Sequence, residues 1–280
     1  MAGNRDTGDD PGTIVLIHGL WLTPRSWEHW VDRYRAAGFE VLAPAWPGLD
    51  VEVEALREDS SPLERLDIPQ IVDHYHGIIE PMRRPPIIMG HGIGGTFTQI
   101  LLDHGLGAAG VAIDSASVFG VLRQPMAMLK SVAAVLRNPV NTQRAVSMTA
   151  QEFHQTVANA LPEQESMAAY QRYYVPAAGR IVFEADLANF DPRRHTKVNF
   201  GRSDRAPLLF IVGDEDRVSP PQLNFDNANH YRKSTAVTDV KEYPGRCHFT
   251  LGQQGWEDVA DYALNWSLEE ARAQHALKNA

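Results

Sequence analysis

What this chain of 280 residues lacks narrows its reading first. It has one cysteine, Cys247, so no intrachain disulfide can form and no Cys-rich zinc pattern is present. Nothing in it calls for an oxidising compartment. No apolar run approaches the ~20 residues needed to span a bilayer, and Met1 to Gly12 is polar and charged, without the apolar centre of a secretion signal. The expected setting is the cytoplasm, with no membrane partner. Basic residues are in the minority, 26 Lys and Arg against 35 Asp and Glu, for a formal net charge of -9. That balance argues against nucleic acid or an anionic lipid surface and leaves a small neutral or weakly polar molecule as the expected partner. Internal repeats and low-complexity linkers are also missing.

Hydrophobic residues, 44% of the chain, suffice for a sizeable core. Thr13 to Ile17, TIVLI, reads as a buried strand ending at His18-Gly19. Thr23-Pro24 then caps a helix whose apolar positions are Trp27, Trp30, Val31 and Tyr34. Glu40 to Pro44 is a second strand, closed by the turn residues that follow it. Ser61-Pro62-Leu63-Glu64 has the form of a capping box, and a longer helical pattern starts near Pro69. The apolar run from Ile87 leads into Gly90-His91-Gly92-Ile93-Gly94-Gly95, after which Phe97, Ile100 and Leu101 keep helical spacing. Gly107 to Ile113 is a further strand ending at Asp114. This βαβα order predicts an α/β fold with a parallel sheet, right-handed crossovers and a ligand site at the carboxyl ends of the strands.

Between 119 and 205 the rhythm changes to helical stretches without comparable strands, which reads as an inserted helical cap. Met126, Leu129, Val132 and Leu136 form one stripe; Thr149 to Glu152 is a capping box ahead of Phe153, Val157 and Leu161. Methionines and aromatics of these stripes are candidates for core or for a pocket wall. Strand character returns at Ala206 to Val212 and Val237 to Tyr243, around a helix that Ser219 and Pro220 would cap. A last helix carries Trp256, Val259, Ala263 and Trp266. The expected organisation is a flexible 1–12, a core of 13–118 with 206–270, a cap of 119–205 and a tail of 271–280.

The turn at residues 90–95 resembles the nucleophile elbow of the α/β-hydrolase family, G-x-S-x-G, and the order of elements from Thr13 to about Leu268 resembles that fold throughout. The resemblance implies a sheet of about six parallel strands without an opening antiparallel hairpin. It departs from the family at the centre of the elbow, where Gly92 has no atom able to attack a carbonyl. The family order of nucleophile, acid, histidine implies Asp216, three residues after Gly213, as the acid and His248 as the base, with Asp114 in reserve. Asp214 and Glu215 read as exposed turn carboxylates. His18-Gly19-Leu20 resembles the oxyanion loop, so the N–H groups of Leu20 and Ile93 are the implied oxyanion donors. Trp21, Trp46 and His91 are candidate substrate contacts, with core packing the alternative for the tryptophans. Cys247 reads as a buried small hydrophobe. His74 and His76 fall on different helix faces, which argues against a metal site. No cofactor is implied, and the oligomeric state stays open, a homodimer among the options.

Three functions fit this inventory. One is an enzyme using the His248/Asp216 pair and a backbone oxyanion hole on a small apolar ester, lactone or polyketide-like substrate without a covalent intermediate, as a hydrolase, lyase or cyclase. The second is a serine esterase or lactonase whose Ser has been replaced at residue 92. The third is a non-catalytic ligand receptor.

Overall fold

The computed structural model describes residues 12–121, 135–190 and 192–278. Strands β1 (Thr13–Ile17), β2 (Glu40–Leu42), β3 (Ile87–His91) and β4 (Ala109–Ile113) alternate with helices α1 (Glu28–Ala36), α2 (Val53–Glu58), α3 (Ile68–Ile79) and α4 (Ile93–Asp103). A two-stranded antiparallel ribbon, β5 (Ala145–Val146) and β6 (Ala177–Ala178), sits among the cap helices α5 (Ala150–Thr156), α6 (Glu163–Tyr173) and α7 (Gly179–Asp186). The core resumes with β7 (Leu208–Gly213), α8 (Pro221–His230), β8 (Thr238–Tyr243) and α9 (Trp256–Lys278). Six strands form one sheet in the order β2-β1-β3-β4-β7-β8, every neighbour parallel.

Helices cover both faces of this sheet, which explains the continuous apolar runs of its strands. Val15, Ile17, Ile88, Ala112 and Phe210 face the side packed by α3, α4 and α8. Ile14, Leu16, Met89, Val111 and Ile211 face the opposite side, against Trp27, Trp30 and Tyr34 of the α1 region and Val259 and Ala263 of α9. Neighbouring residues of one strand thus enter different cores, the period of two expected for a pleated strand. Among the described residues no helix is long and apolar enough to cross a membrane.

Several local expectations shift. Ser61 starts only a 3-10 turn, and the capping box belongs to Asp67 and Gln70, whose side chains accept from each other's backbone N–H at 3.0 and 3.1 Å. Ser219 does not cap α8: its N–H donates to Asp216 and its carbonyl accepts from Asn224, leaving Pro220 at the N-cap. The Thr149/Glu152 box opens α5 as expected. The region read as helical stretches without comparable strands also holds the short β5–β6 ribbon. Met126, Leu129 and Val132 lie outside the described residues, as does nearly all of the expected flexible N-terminus. The expected C-terminal tail is instead largely helix, because Ala271 packs on the core and the Gln274 amide donates to the Arg205 carbonyl at 2.8 Å.

Candidate active site

The turn after β3 decides the geometry of everything around it. Gly92 stands between strand and helix at φ 57° and ψ -120°, a region that side chains other than hydrogen rarely enter. Its N–H donates to the Ile113 carbonyl at 2.9 Å, and its own carbonyl accepts from Gly95 and Ala116 at 3.0 Å each. The turn is therefore held from both neighbours. A Cβ built on Gly92 would point at the His248 ring, 3.2 Å from Nε2 and 3.5 Å from Cε1.

His248 follows β8 and Asp216 follows β7, and the two meet although 32 residues separate them, with His248 Nδ1 2.8 Å from Asp216 Oδ2. The other carboxylate oxygen, Oδ1, accepts from the N–H groups of Val218 at 2.7 Å and Ser219 at 2.9 Å. Those two bonds set the carboxylate plane and leave Oδ2 for the imidazole. With Nδ1–H donated to Asp216, the Nε2 lone pair of the neutral ring faces Gly92, the arrangement a general base needs. Both side chains are almost wholly shielded from solvent. Asp214 is an exposed turn carboxylate, as expected, and it also accepts from Gly245 N–H at 2.6 Å, which ties the β7 turn to the His248 loop.

His91 and Trp46 lie elsewhere than a substrate contact requires. His91 is fully buried, and its Nε2 donates to the His248 backbone carbonyl at 2.7 Å, with the two rings 4.5 Å apart. It carries the base from behind. Burial, followed by the nearness of His248, holds its pKa well below the ordinary value, so the ring stays neutral. Trp46 is also buried, stacked on His18 at 4.4 Å between ring centroids. Burial lowers His18 to about 4, which leaves a neutral ring whose Nδ1–H donates to the Gly19 carbonyl at 3.0 Å. The reserve acid Asp114 is fully buried and faces Gly213, whose N–H donates to its Oδ1 at 2.7 Å. Burial, then the charge of Asp216, raises its pKa well above the carboxylate range, so it is a neutral joint between β4 and β7. Ligand atoms of His91, Asp114 and His248 lie within 4.8 Å of one another. Each imidazole has already committed a nitrogen to a protein partner there. Cys247 is buried, its thiol pushed up to about 11, principally by desolvation.

A cavity of about 60 Å³ opens between the strand ends and the cap. On the core side Leu20, Trp21, Gly92, Ile93, Ala116, Val218, Ser219 and His248 line it. Leu20 and Ile93, the expected oxyanion donors, thus share one cavity with the base. Trp21 has φ 60°, a left-handed backbone uncommon outside glycine, and its carbonyl accepts from cap residue Val175 at 3.0 Å. On the cap side stand Met148, Thr156, Ala185 and Asp186. Asp186 was not expected here. It is 6% exposed, and desolvation pushes its carboxyl up to about 7. The sequence does hold a signal for it: Asp186 lies four residues after Val182, on the helix face that buries Val182 and Ala185, where an acid is out of place.

With this geometry in hand, comparison with known proteins places the chain. The Alpha/beta hydrolase family matches over residues 14–262, and the chain belongs to that family. Comparison with curated proteins by sequence gives no match. Among solved structures, a monoacylglycerol lipase from Paleococcus ferrophilus is 18% identical, with a TM-score of 0.66 over 93% of this chain and 95% of its own. A pyrethroid hydrolase from Sphingobium faniae JZ-2 is 17% identical, with a TM-score of 0.68 over 93% of this chain and 99% of its own. A methylesterase from Arabidopsis is 14% identical, with a TM-score of 0.61 over 90% of this chain and 97% of its own. At these identities the likeness is one of fold.

Proposed function

We propose that this protein is an enzyme for small, largely apolar carbonyl compounds, esters, lactones or polyketide-like molecules, and that Gly92 occupies the position where family members carry the attacking hydroxyl. His248, oriented by Asp216, is the general base, and the N–H groups of Leu20 and Ile93 receive the negative charge that develops on the substrate oxygen. The observation that carries this reading is the direction of His248 Nε2, 3.2 Å from the point where a side chain of residue 92 would begin. The base is aimed at the place where a nucleophile belongs. The neighbours named as a lipase, a methylesterase and a pyrethroid hydrolase agree with a carbonyl substrate.

The hydrolytic cycle needs no covalent enzyme intermediate. A water held beside Gly92 loses a proton to Nε2 as its oxygen bonds to the carbonyl carbon, and the carbonyl oxygen becomes an oxyanion facing the two backbone donors. The imidazolium then returns the proton to the leaving oxygen as the C–O bond breaks. A positioned base contributes about 10²- to 10⁴-fold, and one oxyanion donor about 3 to 4 kcal/mol. The same base could instead remove a proton from the substrate itself, which is the lyase or cyclase variant.

One observation favours a second reading, a serine esterase or lactonase whose Ser has been replaced at residue 92. A Cβ at residue 92 requires the His248 ring to retreat by no more than a few tenths of an ångström. Turnover of phenyl acetate by the wild type, His248→Ala and Gly92→Ser separates the possibilities. The proposal expects wild-type turnover that His248→Ala lowers by about 10²- to 10⁴-fold, with no burst. Turnover confined to Gly92→Ser, with a burst, supports the esterase reading. A wild type that binds the ester and never transforms it, whether or not His248 is present, is a receptor.

A further inference from the structure

On the cap side of the cavity one residue is held more firmly than its neighbours. Of the lining there, Met148, Thr156, Ala185 and Asp186, Met148 has the longest apolar side chain. Thr156 turns its hydroxyl back to its own helix, donating to the Glu152 carbonyl at 2.7 Å, and Ala185 offers a methyl group. Both backbone groups of Met148 are taken by tyrosine hydroxyls. Its N–H donates to the Tyr174 hydroxyl at 2.7 Å, and its carbonyl accepts from the Tyr170 O–H at 3.0 Å. The two rings stack, with centroids 4.5 Å apart and planes 16° from parallel, so they act as one clamp. The clamp is fixed to the core in turn. Arg57 of α2 donates to the backbone carbonyls of the same two residues, Nε to Tyr174 and Nη2 to Tyr170, each at 2.8 Å. A chain of contacts thus runs from the core through the end of α6 to a residue that shares the cavity with His248.

We infer that Met148 is a specificity residue that limits the length of the substrate group directed at the cap, and that Tyr170 and Tyr174 are the positioning residues that hold it. This rests on the reading of the cavity as the substrate site. With its N–H and carbonyl both occupied, what Met148 presents to the cavity is its thioether chain. A chain with three rotatable bonds adapts to the shape of a ligand, but a root held at both ends does not retreat to admit a longer one. A cavity of about 60 Å³ accepts a short group as it stands, and a longer one aimed at the cap must displace Met148. The selected substrates are therefore esters whose cap-directed group is short, whatever its shape.

The test compares phenyl acetate with phenyl hexanoate and 4-butylphenyl acetate, which add four carbons on the acyl side and on the alcohol side. Binding is followed by tryptophan fluorescence, because Trp21 lines the cavity. It is measured in the His248→Ala background so that affinity does not depend on turnover. On Met148→Ala the affinity of one extended ester, relative to phenyl acetate, should rise roughly tenfold or more, the scale of methylenes newly admitted to an apolar pocket. Met148→Leu, which keeps the volume, should leave that ratio within about twofold. Tyr174→Phe and Tyr170→Phe each remove one hydroxyl and should raise the same ratio about two- to tenfold, the range of one net hydrogen bond. A merely structural role for the tyrosines would instead weaken all three esters alike. Met148→Val gives the same comparison should the alanine variant not fold. Ratios unmoved by Ala or Val overturn the inference while the enzyme reading stands, and ratios moved by these but by neither tyrosine variant overturn the clamp. Saturable binding of none of the three esters overturns both readings.

Discussion

The two walls of one cavity are held by different physics. On the core side, residues at the ends of β1, β3, β4 and β7 inherit their positions from a ladder of parallel backbone bonds, with registers such as His91↔Ile113 and Ile113↔Ile211. On the cap side, Met148, Thr156 and Asp186 are set by short helices, a ribbon of two residue pairs and a few side chains that reach across from the core. Arg172 and Tyr173 of α6 meet Glu28 of α1, and Arg57 of α2 donates to three cap carbonyls. The proposed base sits on the wall that cannot shift without unfolding the sheet, and the cap forms the wall that can.

Two glycines break this comparison most sharply. A Cβ on Gly94 would lie 2.3 Å from the Ile17 carbonyl oxygen, and one on Gly179 would lie 2.0 Å from that of Asn141. The clashes are alike, but the first separates α4 from β1 in the core and the second disrupts only the cap. Gly94→Ala should cost more than about 4 kcal/mol and remove the cooperative melt. Gly179→Ala should keep a cooperative core transition while losing hydrogen-exchange protection in α5 to α7. Equal loss of the core in both variants would show that the cap is no independent unit.

The next largest effect is on rate. His248→Ala should lower turnover of phenyl acetate by about 10²- to 10⁴-fold with affinity nearly unchanged, since help from a base is realised in the transition state. Asp216→Asn should be comparably damaging, because the imidazole loses the partner that fixes its tautomer. Steady-state kinetics beside calorimetric titration decide it; a loss mainly in affinity would move His248 from the chemical wall to the selecting one.

The walls also answer pH in opposite directions. His18 in the core has its folded pKa lowered from 6.5 to about 4, so below pH 6.5 the unfolded chain takes up a proton that the folded chain refuses. Stability falls as pH drops from 6.5 to about 4 and levels off below, by about 3 kcal/mol at 1.36 kcal/mol per unit. His91 acts in the same direction. Asp186 in the cap is raised from 3.8 to about 7, so the unfolded chain loses its proton first and stability falls as pH rises through that window. His18→Gln should flatten the acid side, and Asp186→Asn the stretch from pH 4 to 7, in denaturant melts across pH. Unchanged slopes would mean that these groups are solvated.

The same division governs what the sequence discloses. Strands buried on both faces read as continuous apolar runs, so their ends are legible along the chain, and the resemblance to the family's order of nucleophile, acid and histidine is what implies Gly92, Asp216 and His248 at those ends. Which way a residue points once past a strand end is not so encoded. His91 and Trp46 carry rings suited equally to a cavity or a core, and packing against His248 and His18 turns both inward. Two capping patterns, Ser61-x-x-Glu64 and Asp67-x-x-Gln70, compete within ten residues, and only the burial of Ile68, Ile71 and Tyr75 selects the second. The β5–β6 ribbon has two residues per strand, too few for any period to show. Asp186 left a trace as an acid on an apolar helix face, but the cavity it faces exists only after cap and core have met.

The smallest effect expected is the most local one. The backbone carbonyls of the last turn of a helix have no partner within it and carry the negative end of its dipole. For α6 that end is met by Arg57, whose Nε donates to Tyr174 O and whose Nη2 donates to Tyr170 O and Gln171 O, each at 2.8 Å. A planar guanidinium reaches all three at once, which a lysine ammonium on its flexible stem does not reproduce. Removing it leaves carbonyls that water can partly satisfy, because this edge is half exposed, so the loss should fall near the lower end of the roughly 1.5 to 3 kcal/mol typical of charged hydrogen bonds. That energy holds α6 to the core and does little for the sheet. Arg57→Lys and Arg57→Gln should therefore speed amide exchange across residues 163–175 by about tenfold, the equivalent of 1.4 kcal/mol, while β3 and β4 exchange as before. KM for a small ester should rise modestly and kcat should hold, since the cap wall loosens and the base does not move. A fall in kcat with unchanged exchange in α6 would place Arg57 in control of the core wall and erase the distinction between the two.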